Sequence, residues 1–157
     1  MNARGYCPSR PIDRGPGNAD AASPLPGPLP PQRSIHTWLP HPSIVTEARR
    51  LTRKVLDVYE VGQIDDAEIV VSELVTNAVE ASHPDWTVTL CLLINDECVL
   101  VLVYDESDDA PQLREPDFDE DAGRGLMIVE QLSDGCGYIA GSYGGKAVWA
   151  RIRRLHL

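Results

Sequence analysis

The chain has 157 residues and a formal charge of −10, a length that fits one domain with one core. Residues 1–42 hold four Arg and two Asp, so the remainder carries −12. That acidity repels phosphate backbones and excludes direct nucleic-acid binding, and no apolar run reaches transmembrane length.

Ten of the 13 prolines fall within residues 1–42. Residues 1–33 show neither an apolar period nor a continuous apolar h-region. They read as a disordered, Pro-rich tail and not as a signal peptide. The folded domain is expected over 34–157. A short strand is expected over 34–39, stopped by Pro40 and Pro42. Ser43 is a plausible cap for a first helix, whose apolar positions are Ile44, Ala48, Leu51, Val55 and Tyr59. Gly62 is placed to end it. A second helix is expected over 65–82, with Ile69, Val70, Leu74, Val75, Ala78 and Val79 on its apolar face. Asp65 and Asp66 suit the positive end of its dipole, and His83-Pro84 stops it.

Two apolar runs follow, 86–94 and 98–104, joined by Asn95-Asp96 as a hairpin turn. Residues 105–121 then bring nine acidic residues, one Arg and two Pro, a long loop of the kind that is functional or disordered. Helical spacing resumes over 125–132. A last hairpin is expected from 135–142 and 147–152, turning at Tyr143-Gly-Gly-Lys146. The order β-α-α-β-β-loop-α-β-β predicts an α+β, two-layer sandwich with the helices on one face of a mixed sheet. It is not the βαβ alternation of a dinucleotide-binding fold. The four cysteines, Cys7, Cys91, Cys98 and Cys136, show no C-x-x-C and no paired-His spacing. They argue for free thiols, a reducing cytoplasm and no zinc site.

Chemistry-bearing residues cluster in three places. Glu73 and Asn77 are four apart and project from one helix face. They offer oxygens to a hard divalent cation such as magnesium, which keeps several waters and uses few protein ligands. Glu73 is also placed to take a proton from an attacking hydroxyl; the plainer alternative is a solvated polar pair. Asp105 ends a strand, where a carboxylate can accept from an exocyclic amine or simply start a turn. Gly123 and Gly125 flank Arg124 at a helix start. There, backbone N–H groups and a guanidinium suit phosphate, while a plain helix N-cap glycine is the alternative. Arg49, Arg50, Arg53 and Lys54 form a basic cluster on the first helix, either a solvated face or a docking site for a partner or second subunit.

In combination, Glu73-Leu-Val-Thr-Asn77-Ala78 resembles the N-box of the Bergerat-fold (GHKL) ATPases, which include gyrase B subunits and histidine-kinase catalytic domains. Asp105 is similar to the aspartate of their first glycine box and Gly123-Arg-Gly-Leu126 to their second. Tyr104-Asp-Glu-Ser107 with Pro111, Gly-Arg-Gly-Leu-Met-Ile-Val129 and Gly145-Lys-Ala-Val-Trp149 resemble the stand-alone actinobacterial branch, itself similar to anti-sigma-factor serine kinases. The resemblance covers about residues 43–153. It implies ATP and Mg2+ as cofactors. Asn77 would ligate the magnesium, Glu73 would be the catalytic residue that orients or activates the phosphate acceptor, and Asp105 would hold the adenine amine. Gly123, Arg124, Gly125 and Leu126 would lie along the phosphates, with 106–122 as the ATP lid. Three positions depart from the pattern. Ser107 stands where many relatives have Gly, and Val79-Glu-Ala-Ser82 stands where relatives often have a His before the Ser. Ala147 stands where a Thr or Ser commonly supports the adenine pocket.

No helical phosphoacceptor segment precedes the domain, which argues against a sensor histidine kinase. The resemblance implies a free-standing, cytoplasmic transcription regulator. Such a protein would be an anti-sigma factor that binds a sigma factor and, as a serine/threonine-protein kinase, phosphorylates an anti-anti-sigma antagonist by positioning and charge neutralisation. A homodimer is expected on the same basis. The alternative is a non-catalytic module of the same fold that sequesters its partner, with ATP structural or absent.

Overall fold

The computed structural model describes residues 32–111 and 125–154. Its elements run β1 (Gln32–Trp38), α1 (Ile44–Val58), α2 (Ile64–Ala81), β2 (Val88–Ile94), β3 (Cys98–Asp105), α3 (Gly125–Leu132), β4 (Gly135–Ala140) and β5 (Lys146–Arg153). Strand β1 takes in Gln32 and Arg33, two residues earlier than the boundary expected from composition. The expected disorder of the remaining tail concerns residues outside those described.

The five strands form one sheet in the order β1-β2-β3-β5-β4. Every strand pairing is antiparallel, where a mixed sheet was expected. The reason lies in the connections. Two successive helices return the chain from β1 to β2 in the opposite direction, and the β2–β3 and β4–β5 hairpins are antiparallel by construction. The α+β class and the single helical layer stand as expected.

Alternation decides which residues meet the helices. Val99, Val101, Val103 and Asp105 of β3 are almost fully buried. Cross-strand register sets them beside Ile152, Ala150, Val148 and Lys146 of β5, which are buried as well. The β2 residues Val88, Leu90, Leu92 and Ile94 extend this face. Helix α2 lies over β2, β3 and β5 and packs against both α1 and α3. It contributes Ala67, Val70, Val71, Leu74, Val75 and Ala78 to the core. Burying such side chains stabilises by about 1.5–3 kcal/mol each for the larger ones. The helix–sheet contact is therefore a rigid base for whatever α2 presents beside it.

Helix α1 is tied to α2 by packing and by Arg53, whose guanidinium bonds Asp65 Oδ1 at 2.7 Å and Glu68 on both carboxylate oxygens. Arg53 thus cross-links two helices, leaving Arg49, Arg50 and Lys54 as the exposed remainder of that basic cluster. Helix α1 ends otherwise than expected. Glu60, not Gly62, takes the left-handed conformation, at φ 53°. Val61 N–H then bonds Leu56 O and Glu60 N–H bonds Asp57 O, the pair of bonds of a Schellman stop. Val61 is buried, and its pull into the core fixes the stop two residues before the glycine. Ser43 makes no side-chain cap to the helix; its hydroxyl bonds His41 Nδ1 instead. No described helix is long and apolar enough to cross a membrane.

Candidate functional site

The site is built where α2, the start of α3 and the ends of β3 and β5 come together. Alternation along α2 sends Val70, Leu74 and Ala78 into the core and leaves Glu73 and Asn77 at its edge, both half-buried. The Glu73 carboxylate lies against Gly125, the first residue of α3. A Cβ at Gly125 would overlap Glu73 Oε2 and come within 2.9 Å of its Cδ. Glycine here leaves room for the carboxylate, and a larger residue would push aside the flexible end of Glu73. Burial, reinforced by the Glu80 charge two turns on, raises the Glu73 carboxyl above its ordinary value of 4.5. That is the direction that turns a carboxylate into a base useful near neutral pH.

One turn from Glu73, the amide nitrogen of Asn77 is buried without a hydrogen-bond partner among the described residues. Buried side-chain amides are rarely left so. The oxygen and nitrogen of an amide are interchangeable by a half-turn of χ2. The same position therefore offers either a donor to phosphate or an oxygen to a hard cation. One amide oxygen plus substrate phosphates and water is a donor set magnesium accepts, so the residues present fit that ion. Among the described residues no group of three or more His, Cys, Asp or Glu could hold a metal by itself.

Asp105 closes the other end of the site. It is 1% exposed, and its Oδ1 accepts from Ser107 N–H at 2.9 Å and from Lys146 Nζ at 2.8 Å. Lys146 is itself only 4% exposed. Burial pushes the Asp105 carboxyl up, while the Lys146 bond and charge and the Ser107 N–H pull it down; burial prevails. The next acids are also engaged. Glu106 accepts from the Thr87 backbone N–H and hydroxyl, tying the loop to the entry of β2. Asp108 accepts from Gly145 N–H at 2.8 Å, tying it to the β4–β5 turn. Gly145 has a φ of 74°, and a Cβ there would stand 2.6 Å from Asp105 O. The acidic segment therefore begins as a stapled ledge around Asp105, with its first carboxylates facing protein donors.

The structure brings Glu73 together with Gly125, and Asp105 with Ser107 and Lys146. Asn77 flanks Glu73 on α2. The Leu126 side chain is buried in the core, so this residue can face a ligand only through its backbone at the start of α3. Gly123 and Arg124 lie outside the described residues, as does most of the expected lid. The position expected from the resemblance to support an adenine pocket, Ala147, does not share the sheet face of Asp105. Ala147 pairs with Tyr104 on the sheet face away from the helices, while Lys146 is the cross-strand neighbour of Asp105. Lys146 was missed because lysine in a strand reads as solvent-facing, and its register opposite Asp105 follows from strand pairing that no local pattern specifies.

The chain matches the family model described as a histidine kinase-like ATPase domain over residues 40–152. No curated protein matches it. The match spans α1 to β5 and well over half of the sequence. The chain belongs to the histidine kinase-like ATPase domain family, the GHKL superfamily.

Proposed function

We propose that this domain is an ATP-binding regulator that acts as a protein serine/threonine kinase, in the manner of an anti-sigma factor. Family membership supports the ATP-binding regulatory function. The finer reading rests on the similarity of its motifs to the anti-sigma kinases. The observation that carries the catalytic part is Glu73, held against Gly125 beside the orphaned amide of Asn77.

In this reading Asp105 accepts from the adenine amine, and the start of α3 donates backbone N–H groups to the phosphates. Asn77 would hold a magnesium ion, which supplies neutralisation of phosphate charge when bound. Glu73 takes the proton from a serine or threonine hydroxyl as that oxygen attacks the γ-phosphorus. The bond from that phosphorus to the β–γ bridging oxygen breaks, and ADP leaves with the electron pair. The acceptor would sit on a small antagonist protein, and the domain would bind a sigma factor in turn. A second copy of the chain completes the assembly in this proposal.

Calorimetry with ATP and magnesium on the wild type and Asn77→Ala tests it. Removing a buried group that has no partner costs the free protein little, because no hydrogen bond is lost. Asn77→Ala is therefore expected to keep the wild-type melting temperature while losing ATP affinity by tenfold or more. Transfer of the γ-phosphate to a serine or threonine of a candidate antagonist would then establish the kinase. A well-folded wild type that binds no ATP would leave the partner-sequestering module as the function.

A further inference from the structure

Lys146 is not used by the reading above, and its surroundings are unusual for a lysine. It lies on the helix-covered face of β5, 4% exposed, opposite Asp105. A buried ammonium is costly unless its charge is paired and its three N–H groups find acceptors. Among the described residues Nζ meets two: Asp105 Oδ1 at 2.8 Å and Ser107 O at 3.5 Å, the latter at the limit of a hydrogen bond. At least one donor is thus left over at a site closed to bulk water. On the carboxylate, both Lys146 and the Ser107 N–H take Oδ1, and neither uses Oδ2.

We infer that Lys146 and Asp105 act together as a donor–acceptor pair that reads the edge of the base, with Lys146 as a specificity-determining residue. Asp105 Oδ2 accepts from the exocyclic amine. The remaining Lys146 N–H donates to the ring nitrogen next to that amine, N1 of adenine. A lone carboxylate would check the amine alone; the pair checks an amine and a neighbouring acceptor together. The inference rests on the ATP-binding reading proposed above. The buried position serves it, because a charged donor gains strength away from water.

The test uses ligand analogues on the wild-type chain, so that no substitution is needed for the main result. The probes are ATP, an ATP analogue with N1 replaced by C–H, and the purine analogue lacking the amine, each with magnesium, by calorimetry. A hydrogen bond to a charged group predicts a loss of roughly 10- to 100-fold for the N1 analogue. Lys146→Met, which removes the donor and keeps the length, should weaken ATP and abolish the difference between ATP and the N1 analogue; where it fails to fold, the comparison of analogues on the wild-type chain decides. Equal wild-type affinity for ATP and the N1 analogue overturns the role of Lys146. So does Lys146→Met binding ATP as tightly as wild type or tighter, which would make the ammonium a competitor of the amine. No ATP binding at all instead sinks the functional reading beneath the inference, and ATP binding without sensitivity to loss of the amine sinks the base-reading role of Asp105 alone.

Discussion

Glu73 shows how one residue can serve the site at the expense of the fold. Its carboxyl is raised above the ordinary value by burial and by Glu80. The folded state therefore holds its proton more tightly than the unfolded chain does. Stability falls as pH rises from the ordinary glutamate value through the raised one, because ionisation is then resisted only in the folded protein. Glutamine at this position has nothing to ionise. Glu73→Gln should match the wild type below about pH 4 and melt higher than the wild type at neutral pH, while the proposed phosphoryl transfer should fall by about 100-fold or more. Melting curves across pH, with turnover measured in parallel, check both halves. A neutral-pH melting temperature lower than the wild type would mean that the carboxylate is stabilised by the adjoining start of α3 more than burial opposes it.

At the scale of elements, the end of α1 carries a cost that can be removed. Glu60 sits at φ 53°, a conformation that disfavours residues with a Cβ by about 1 kcal/mol. Glu60 is exposed and its backbone bonds do not depend on the side chain. Glu60→Gly should raise stability by about 0.5–1 kcal/mol, read as a higher denaturation midpoint with an unchanged slope. The same stop shows what the sequence conceals. Helix periodicity, the Pro40 and His83-Pro84 breaks and the Asn95-Asp96 turn each act through neighbours in the chain, so the elements were legible to within a few residues. Where α1 stops is decided by the burial of Val61, a tertiary event, and the nearby glycine misleads. Strand direction was misjudged for a related reason: it follows from which strands pair, and the place of β5 between β3 and β4 is a tertiary outcome. The site was partly legible too, since i,i+4 spacing places Glu73 and Asn77 on one face. Its two tightest features were not. The fit of Glu73 against Gly125 joins residues far apart in the chain, and the Lys146–Asp105 pair needs a strand register that no local pattern specifies.

Taken whole, the molecule presents a conflict of charge. A domain with a formal charge of −12 outside residues 1–42 has to receive a polyanion. Ledge residues Glu106 and Asp108 bond protein donors, and Asp105 is paired with Lys146, so local geometry blunts the repulsion at contact. The long-range field of the net negative charge is not cancelled by these contacts, and it acts on the nucleotide before contact. Added salt screens that field. The Debye length falls from about 30 Å at 0.01 M to about 8 Å at 0.15 M, while short-range bonds inside the site are little affected. Affinity for ATP with magnesium should therefore rise several-fold between those two ionic strengths, mostly through a faster association rate. Sites that draw phosphate by exposed basic residues show the opposite trend. Stopped-flow binding at the two salt concentrations separates the cases. A rate that falls with salt would place an attractive cation, with Arg124 the first to replace, ahead of the acidic surface in guiding the nucleotide in.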